Sequence, residues 1–253
     1  MSLNIEDKEN VAISAREEAW KLYQSTEGWT QVNTNIEGGA VVEWRTPDSH
    51  HLRDDGSTTA TTTSSPAWKC WRVKANIEAS METVISVLMD YDNMAQWNPA
   101  LSKTQVDTED KTSSLSTRNI ISPQVLARPK ADLMLTYQVT SGQRPVVNPR
   151  DFVFLVSVLE RDGVWLGGGC SISLDSHPAS PNYVRAWQYP TGMVVTTCSS
   201  SPNLTEFCWI LQCDFSGSLP PSLLNLAMPY AIKLFVNSLR KRAKHVQSNL
   251  SSR

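Results

Sequence analysis

Residues 220–242 read PPSLLNLAMPYAIKLFVNSLRKR. Leu223, Leu224, Ala227, Met228, Ala231, Leu234, Phe235 and Leu239 recur at the three- and four-residue spacing of a helix, and Pro220-Pro221 suit its first turn. The spacing predicts one long amphipathic C-terminal helix, with a basic cluster at its far end where positive charge complements the helix dipole. Pro229 has no amide N–H for the preceding turn, so a kink or a fresh turn is expected there. Charge also sets this tail apart. Beyond Asp214 there is no Asp or Glu while six Lys and Arg remain, whereas the first 214 residues carry 17 basic against 25 acidic side chains, a net of −8.

Two more helices are predicted. One spans Asn10–Gln24, with Val11, Ile13, Ala15, Ala19, Trp20 and Tyr23 on roughly one side; the other spans Ala79–Trp97, with Met81, Val84, Ile85, Leu88, Met89 and Tyr91 as its apolar set. Between them lie short β-rich runs at Ala40–Trp44, Trp68–Ile77, Leu133–Thr140, Phe152–Leu159, Val164–Leu174, Tyr183–Trp187, Met193–Thr197 and Glu206–Phe215. About eight strands with turn signals between them imply one curved antiparallel sheet. Glu206–Phe215 alternates Phe207, Trp209 and Leu211 with Cys208, Ile210 and Gln212, a strand apolar on both faces. The polar stretch 49–66, SHHLRDDGSTTATTTSSP, reads as an excursion between two strands, and the strand content of 108–130 is open.

At 253 residues the chain suits one core better than two. Hydrophobic residues make up 40% and charged ones 19%, which excludes a disordered chain, and a net charge of −2 is too balanced for a dedicated nucleic-acid binder. The five cysteines are widely spaced, with no CxxC to suggest zinc and no even set to suggest a disulfide framework. The first residues hold no apolar core of signal-peptide length, and no stretch of 18 uncharged apolar residues occurs. A cytoplasmic protein with reduced thiols, monomeric and without metal or cofactor, is the expectation. Motifs for common chemistries are missing too: there is no GxSxG, HExxH, Walker loop or GxGxxG, and His50, His51, His177 and His245 have no obvious nucleophile to serve. Gly167-Gly168-Gly169 runs into the strand-like CSISLD rather than a helix, so it reads as a β-bulge or a close backbone approach and not a phosphate cradle. The acidic pairs at Asp54-Asp55, Asp90/Asp92 and Glu109-Asp110 read as solvated, and the nine tryptophans as core or cavity lining.

Several segments in order resemble the START domains, the lipid-transfer modules related to steroidogenic acute regulatory protein, and resemble their sterol-carrying branch most. They are Trp97-Asn98-Pro99; Pro149-Arg150-Asp151-Phe152-Val153; Val184-Arg185-Ala186 with Pro190-Thr191-Gly192-Met193-Val194; Trp209, Asp214, Gly217 and Leu219-Pro220; and Phe235 through Arg242. The resemblance implies an α+β helix-grip fold: a curved antiparallel sheet around a long C-terminal helix, enclosing an apolar cavity for one lipid. It implies a START-like domain over residues 15–248, with 1–14 as an extension and 49–66 as a polar insertion.

By position, Trp209, Met193, Phe235 and Leu239 are expected to face the lipid, with Met228, Tyr230 and Ala231 as further candidates from the helix. Where sterol-binding members carry an arginine and a histidine near the ligand's polar head, this chain has Val156 and Gln188; the acidic partner falls among Asn119, Thr136 and Tyr137, all uncharged. Losing the whole set is self-consistent, because one buried charge without its partner is costly. The ligand then expected is a sterol, a more apolar molecule such as a carotenoid, or a phospholipid recognised differently. Arg240, Lys241 and Lys244 are candidates for transient contact with a membrane surface, and the helix or the loop 141–149 for the moving gate. Two other readings stay open: an enzyme of the polyketide cyclase type using the same cavity, and a lipid-sensing interaction module.

Overall fold

The computed structural model describes residues 8–36, 38–47, 68–101, 104–105, 120–121, 124–140 and 148–251. The polar insertion, Asn119, and all of the 141–149 loop before Asn148 lie outside the described residues. Helix α1 (Glu9–Gln24) begins inside the span read as an extension. It is followed by strands β1 (Thr30–Val32), β2 (Val41–Arg45) and β3 (Cys70–Ile77), and by helices α2 (Met81–Met89) and α3 (Tyr91–Trp97). Then come β4 (Thr104–Gln105), β5 (Ile120–Ile121), β6 (Gln124–Lys130), β7 (Leu133–Val139), β8 (Arg150–Arg161) and β9 (Val164–Ser171). The chain continues through β10 (Val184–Arg185), β11 (Trp187–Gln188), β12 (Thr191–Thr197) and β13 (Thr205–Asp214), and ends in α4 (Pro221–Ser251).

The main sheet runs β1-β2-β3-β13-β12-β9-β8-β7-β6, all neighbours antiparallel; β10 adds a short parallel pairing to β8, and β11 pairs with β13. Strands β8 and β9 are joined by Asp162-Gly163, both at positive φ (54° and 75°), the geometry a two-residue hairpin needs to match strand twist. The single predicted helix at 79–97 is two helices, because Asp90 leaves helical geometry (φ −82°, ψ 72°). Ser80 caps α2 by accepting from the Thr83 N–H.

Alternate side chains of each strand serve two layers. On the outer face α1 lies across β9 and β12, and two glycines let it approach. A Cβ at Gly192 would stand 2.8 Å from the Ala19 Cβ, and one at Gly168 would stand 3.1 Å from the Arg16 Cα. The glycine run is thus a close approach; it is not a bulge, for β9 keeps an unbroken register with both neighbours. Buried Arg72 closes the end of α1, donating to the carbonyls of Leu22 and Ser25 while pairing with Glu43 at 2.7 Å.

On the inner face lies α4, a continuous 31-residue helix through Pro229. It buries Met228, Ile232, Phe235, Val236, Leu239 and Ala243 against the sheet and α2. This stripe differs from the predicted one. Leu223, Ala227 and Ala231 are exposed, because the first third of the helix is apolar around most of its circumference and its periodicity does not choose a side.

Candidate functional site

The inner face of the central strands is built by alternation. β13 contributes Phe207, Trp209, Leu211 and Cys213; β3 contributes Trp71, Val73, Ala75 and Ile77; and β12 contributes Met193 and Val195. From β8 come Phe152, Phe154, Val156 and Val158. Phe235 of α4 stands at the centre, with ring centroids 4.7 Å from Trp209, 5.7 Å from Trp97 and 6.2 Å from Phe207. Met193 is directly opposite Trp209 in register, and Gly167 is directly opposite Met193. The Trp165 ring takes the space a side chain at Gly167 would fill.

Three side chains of this face are less buried than the core around them. Trp209, Met193 and Val158 lie within their strands, facing α4 or the helices beside it, yet remain only half-buried. A small groove of about 10 Å³ between the first turns of α4 and the ends of β3 and β13, lined by Lys69, Trp71, Cys213, Phe215, Asn225 and Met228 among others, lies beside this face. Among the described residues, the inner-face strand positions named above carry no charge. Thr136 is the buried polar group near Phe154, and its hydroxyl is spent on the Phe154 carbonyl at 3.2 Å. Burial pushes the Tyr91 phenol up to about 12, so it is neutral at physiological pH.

The structure thus gathers Trp209, Met193, Phe235, Leu239 and Met228 in one core, with Val156 in the adjoining cluster beside Tyr91 and Met94. Gln188 lies opposite Cys213 in register, at the end of the sheet. Tyr230 and Ala231 are not part of this group. They fall outside the arc defined by Met228, Ile232, Phe235 and Leu239, and Tyr230 is 62% exposed.

The basic residues divide as well. Arg240 donates to the carbonyls of Asn76 (2.9 Å) and Gly38 (3.0 Å); Lys244 stands 3.7 Å from Glu78 with both side chains largely exposed; Lys241 is exposed. The charged residues of the family-like segments also have structural partners. Asp151 is fully buried on the outer face, paired with Arg185 at 2.8 Å and accepting from the Tyr137 hydroxyl at 3.2 Å. Burial and that carboxylate raise the Tyr137 pKa. Sequence reasoning did not assign Trp71, Trp165, Phe207 or Trp97 to this site. Strand alternation around Trp209 is the signal that finds Phe207; the Trp97-Asn98-Pro99 motif marks Trp97 without giving it a role, and nothing local to the sequence finds Trp71 or Trp165.

The START domain family model matches residues 10–249, and the chain belongs to that family. Among curated proteins it is 25% identical over 230 residues to the mitochondrial steroidogenic acute regulatory protein of Mesocricetus auratus, covering 90% of this chain and 68% of that one. It is 24% identical over 242 residues to the Equus caballus counterpart, covering 93% and 72%. Among solved structures, human StAR-related lipid transfer protein 5 superposes with a TM-score of 0.72 at 18% identity, over 93% of this chain and 96% of that one. Human STARD10 superposes at 0.66 and 16% identity, over 93% and 79%. These likenesses show the helix-grip fold.

Proposed function

We propose that this protein carries one hydrophobic lipid, a sterol or a comparably apolar molecule such as a carotenoid, in the space between α4 and the sheet, and exchanges it at a membrane surface. The observation that carries the reading is the half-buried, uncharged inner face around Trp209, Met193 and Phe235. The family match and the steroidogenic acute regulatory proteins among its relatives support it.

The physical need for a carrier is large. Water exposure costs about 0.8 kcal/mol per methylene, or about 14 kcal/mol for ~18 carbons, which is about ten decades of rate. A cavity that opens at a membrane and closes in water removes most of that barrier without chemistry, and the role asks for no catalytic group. Exchange is placed on the outward side of α4. Leu223, Leu226 and Tyr230 present apolar surface there, and Lys241 and Lys244 share that helical face, which suits anionic lipid in a segment without acids. Such a role fits a cytoplasmic protein.

The test is direct. The purified protein is exposed to a total lipid extract containing sterols and carotenoids, re-isolated and weighed by native mass spectrometry. One predominant lipid per chain is expected, and a protein that gains no mass from any lipid overturns the reading.

A further inference from the structure

Trp97 ends α3 and is held there by the next three residues. The Asn98 N–H donates to the Met94 carbonyl at 2.9 Å, and the Asn98 side chain accepts from the Ala100 N–H at 3.0 Å. Asn98 itself is extended (φ −85°, ψ 111°), as a residue before proline must be. The indole is thereby set against Phe235, and it also packs on the cluster of Tyr91, Met134, Phe154 and Val156.

Its Nε1–H is out of solvent contact and has no hydrogen-bond partner in the protein. A buried donor left in this state is costly, and an apolar neighbourhood gives it no relief. Two other polar groups near this face differ. The Thr136 hydroxyl already donates to a carbonyl, and Gln188 sits at the far end of β13, opposite Cys213 and four residues along the strand from Trp209. Among the described residues, Trp97 is the tryptophan whose N–H is both out of solvent contact and without an acceptor.

We infer that Trp97 reads the polar end of the ligand: its indole N–H donates to an oxygen acceptor, hydroxyl or carbonyl, on an otherwise apolar lipid. The inference rests on the lipid-carrier reading and narrows it. An indole N–H only donates, so it selects for an acceptor and gives nothing to a hydrocarbon. A ligand that brings an oxygen to Nε1 exchanges an unsatisfied donor for a made hydrogen bond. A hydrocarbon in the same place leaves the donor unpaired. The site therefore discriminates between molecules of nearly identical shape by the presence of one oxygen, without any charged group.

Cholesterol and 5α-cholestane, which lacks the hydroxyl, are the probes, with affinities measured by competition on the full chain and on Trp97→Phe. The substitution keeps an aromatic ring and removes the donor. Wild-type protein is expected to prefer cholesterol, and Trp97→Phe to lose about tenfold in cholesterol affinity while its cholestane affinity is unchanged. As a readout that does not depend on the variant folding, the Trp97 indole 1H–15N resonance of wild-type protein is expected to move downfield with cholesterol and not with cholestane. If Trp97→Phe binds both probes as wild type does, or if the preference survives there and disappears in Gln188→Leu, the inference is overturned while the carrier reading stands. If wild-type protein binds neither probe nor any lipid of the total extract, the carrier reading falls and takes this inference with it.

Discussion

The two ends of α4 are both rich in apolar residues and do different things. From Ile232 to Gln247 the helix buries one side, through Ala243, and is tied down on others: Arg240 holds two backbone carbonyls across the sheet edge, and Gln247 accepts from the Ser80 N–H and the Thr83 hydroxyl at the start of α2. From Pro221 to Ala231 only Met228 is buried, while Leu226 is 77% exposed and Tyr230 62%. Pro229 lies close to the boundary. Exposed apolar surface on one segment of an otherwise well-buried helix shows that composition alone does not decide burial. It also gives the helix one anchored end and one end free to meet something else.

The largest effect separating the two ends is expected from truncation. Leu239→Ala removes a fully buried side chain and should cost about 2–5 kcal/mol in denaturant unfolding, whereas Leu226→Ala should stay within about 0.5 kcal/mol. Equal losses would mean that the first third is packed as firmly as the rest. Next comes Pro229→Ala, which restores an amide donor inside the helix and relieves a penalty of about 3 kcal/mol at most. Amide protection over 221–231 should rise, and lipid exchange should slow if this segment is the one that moves. Faster exchange in that variant would place the gate elsewhere.

The contrast between these ends also marks where the sequence is legible. The existence of α4, its start at Pro221 and its basic far end follow from spacing and composition. Which side is buried does not, because Leu223, Ala227 and Ala231 satisfy the helical period as well as Ile232 and Val236 do. Apolar spacing is blind to the sheet that chooses between them. The same limit hides the break at Asp90, where apolar periodicity runs on while the backbone turns. In the candidate site, Trp209, Met193 and Phe235 are reached through the family resemblance, and strand alternation adds only which face of β13 Trp209 shares with Phe207 and Leu211. Trp97 is visible only as part of a motif, since an unpaired N–H is defined by what surrounds it in space. The glycine run is half legible: close approach follows from composition, but the register that excludes a bulge is a property of three strands together.

A smaller effect is expected at a vesicle surface. Leu226→Ser exchanges an apolar side chain for a polar one where α4 stands free and should weaken binding to liposomes by about 1.5 kcal/mol, roughly tenfold. Lys241→Gln should cost about 1 kcal/mol, on anionic liposomes only and less as salt rises. If salt and lipid charge have no influence while Leu226→Ser does, docking is apolar and the basic end is structural.

The smallest expected change distinguishes two adjacent residues of that basic end. The Arg240 guanidinium is already engaged with the Asn76 and Gly38 carbonyls, one strand edge and one turn away, whereas Lys241 is exposed one position further round the helix. Arg240→Ala gives up charged hydrogen bonds at a solvent-accessible site, so about 0.5–1 kcal/mol of folding stability is expected to go. Its vesicle binding should be unchanged, because a guanidinium held against the sheet has little freedom to seek a phosphate. Thermal unfolding and liposome flotation of the two variants side by side read both quantities. Arg240→Ala that binds vesicles less tightly than Lys241→Gln, with stability intact, would show that these contacts open at the membrane and that the anchored end of α4 moves too.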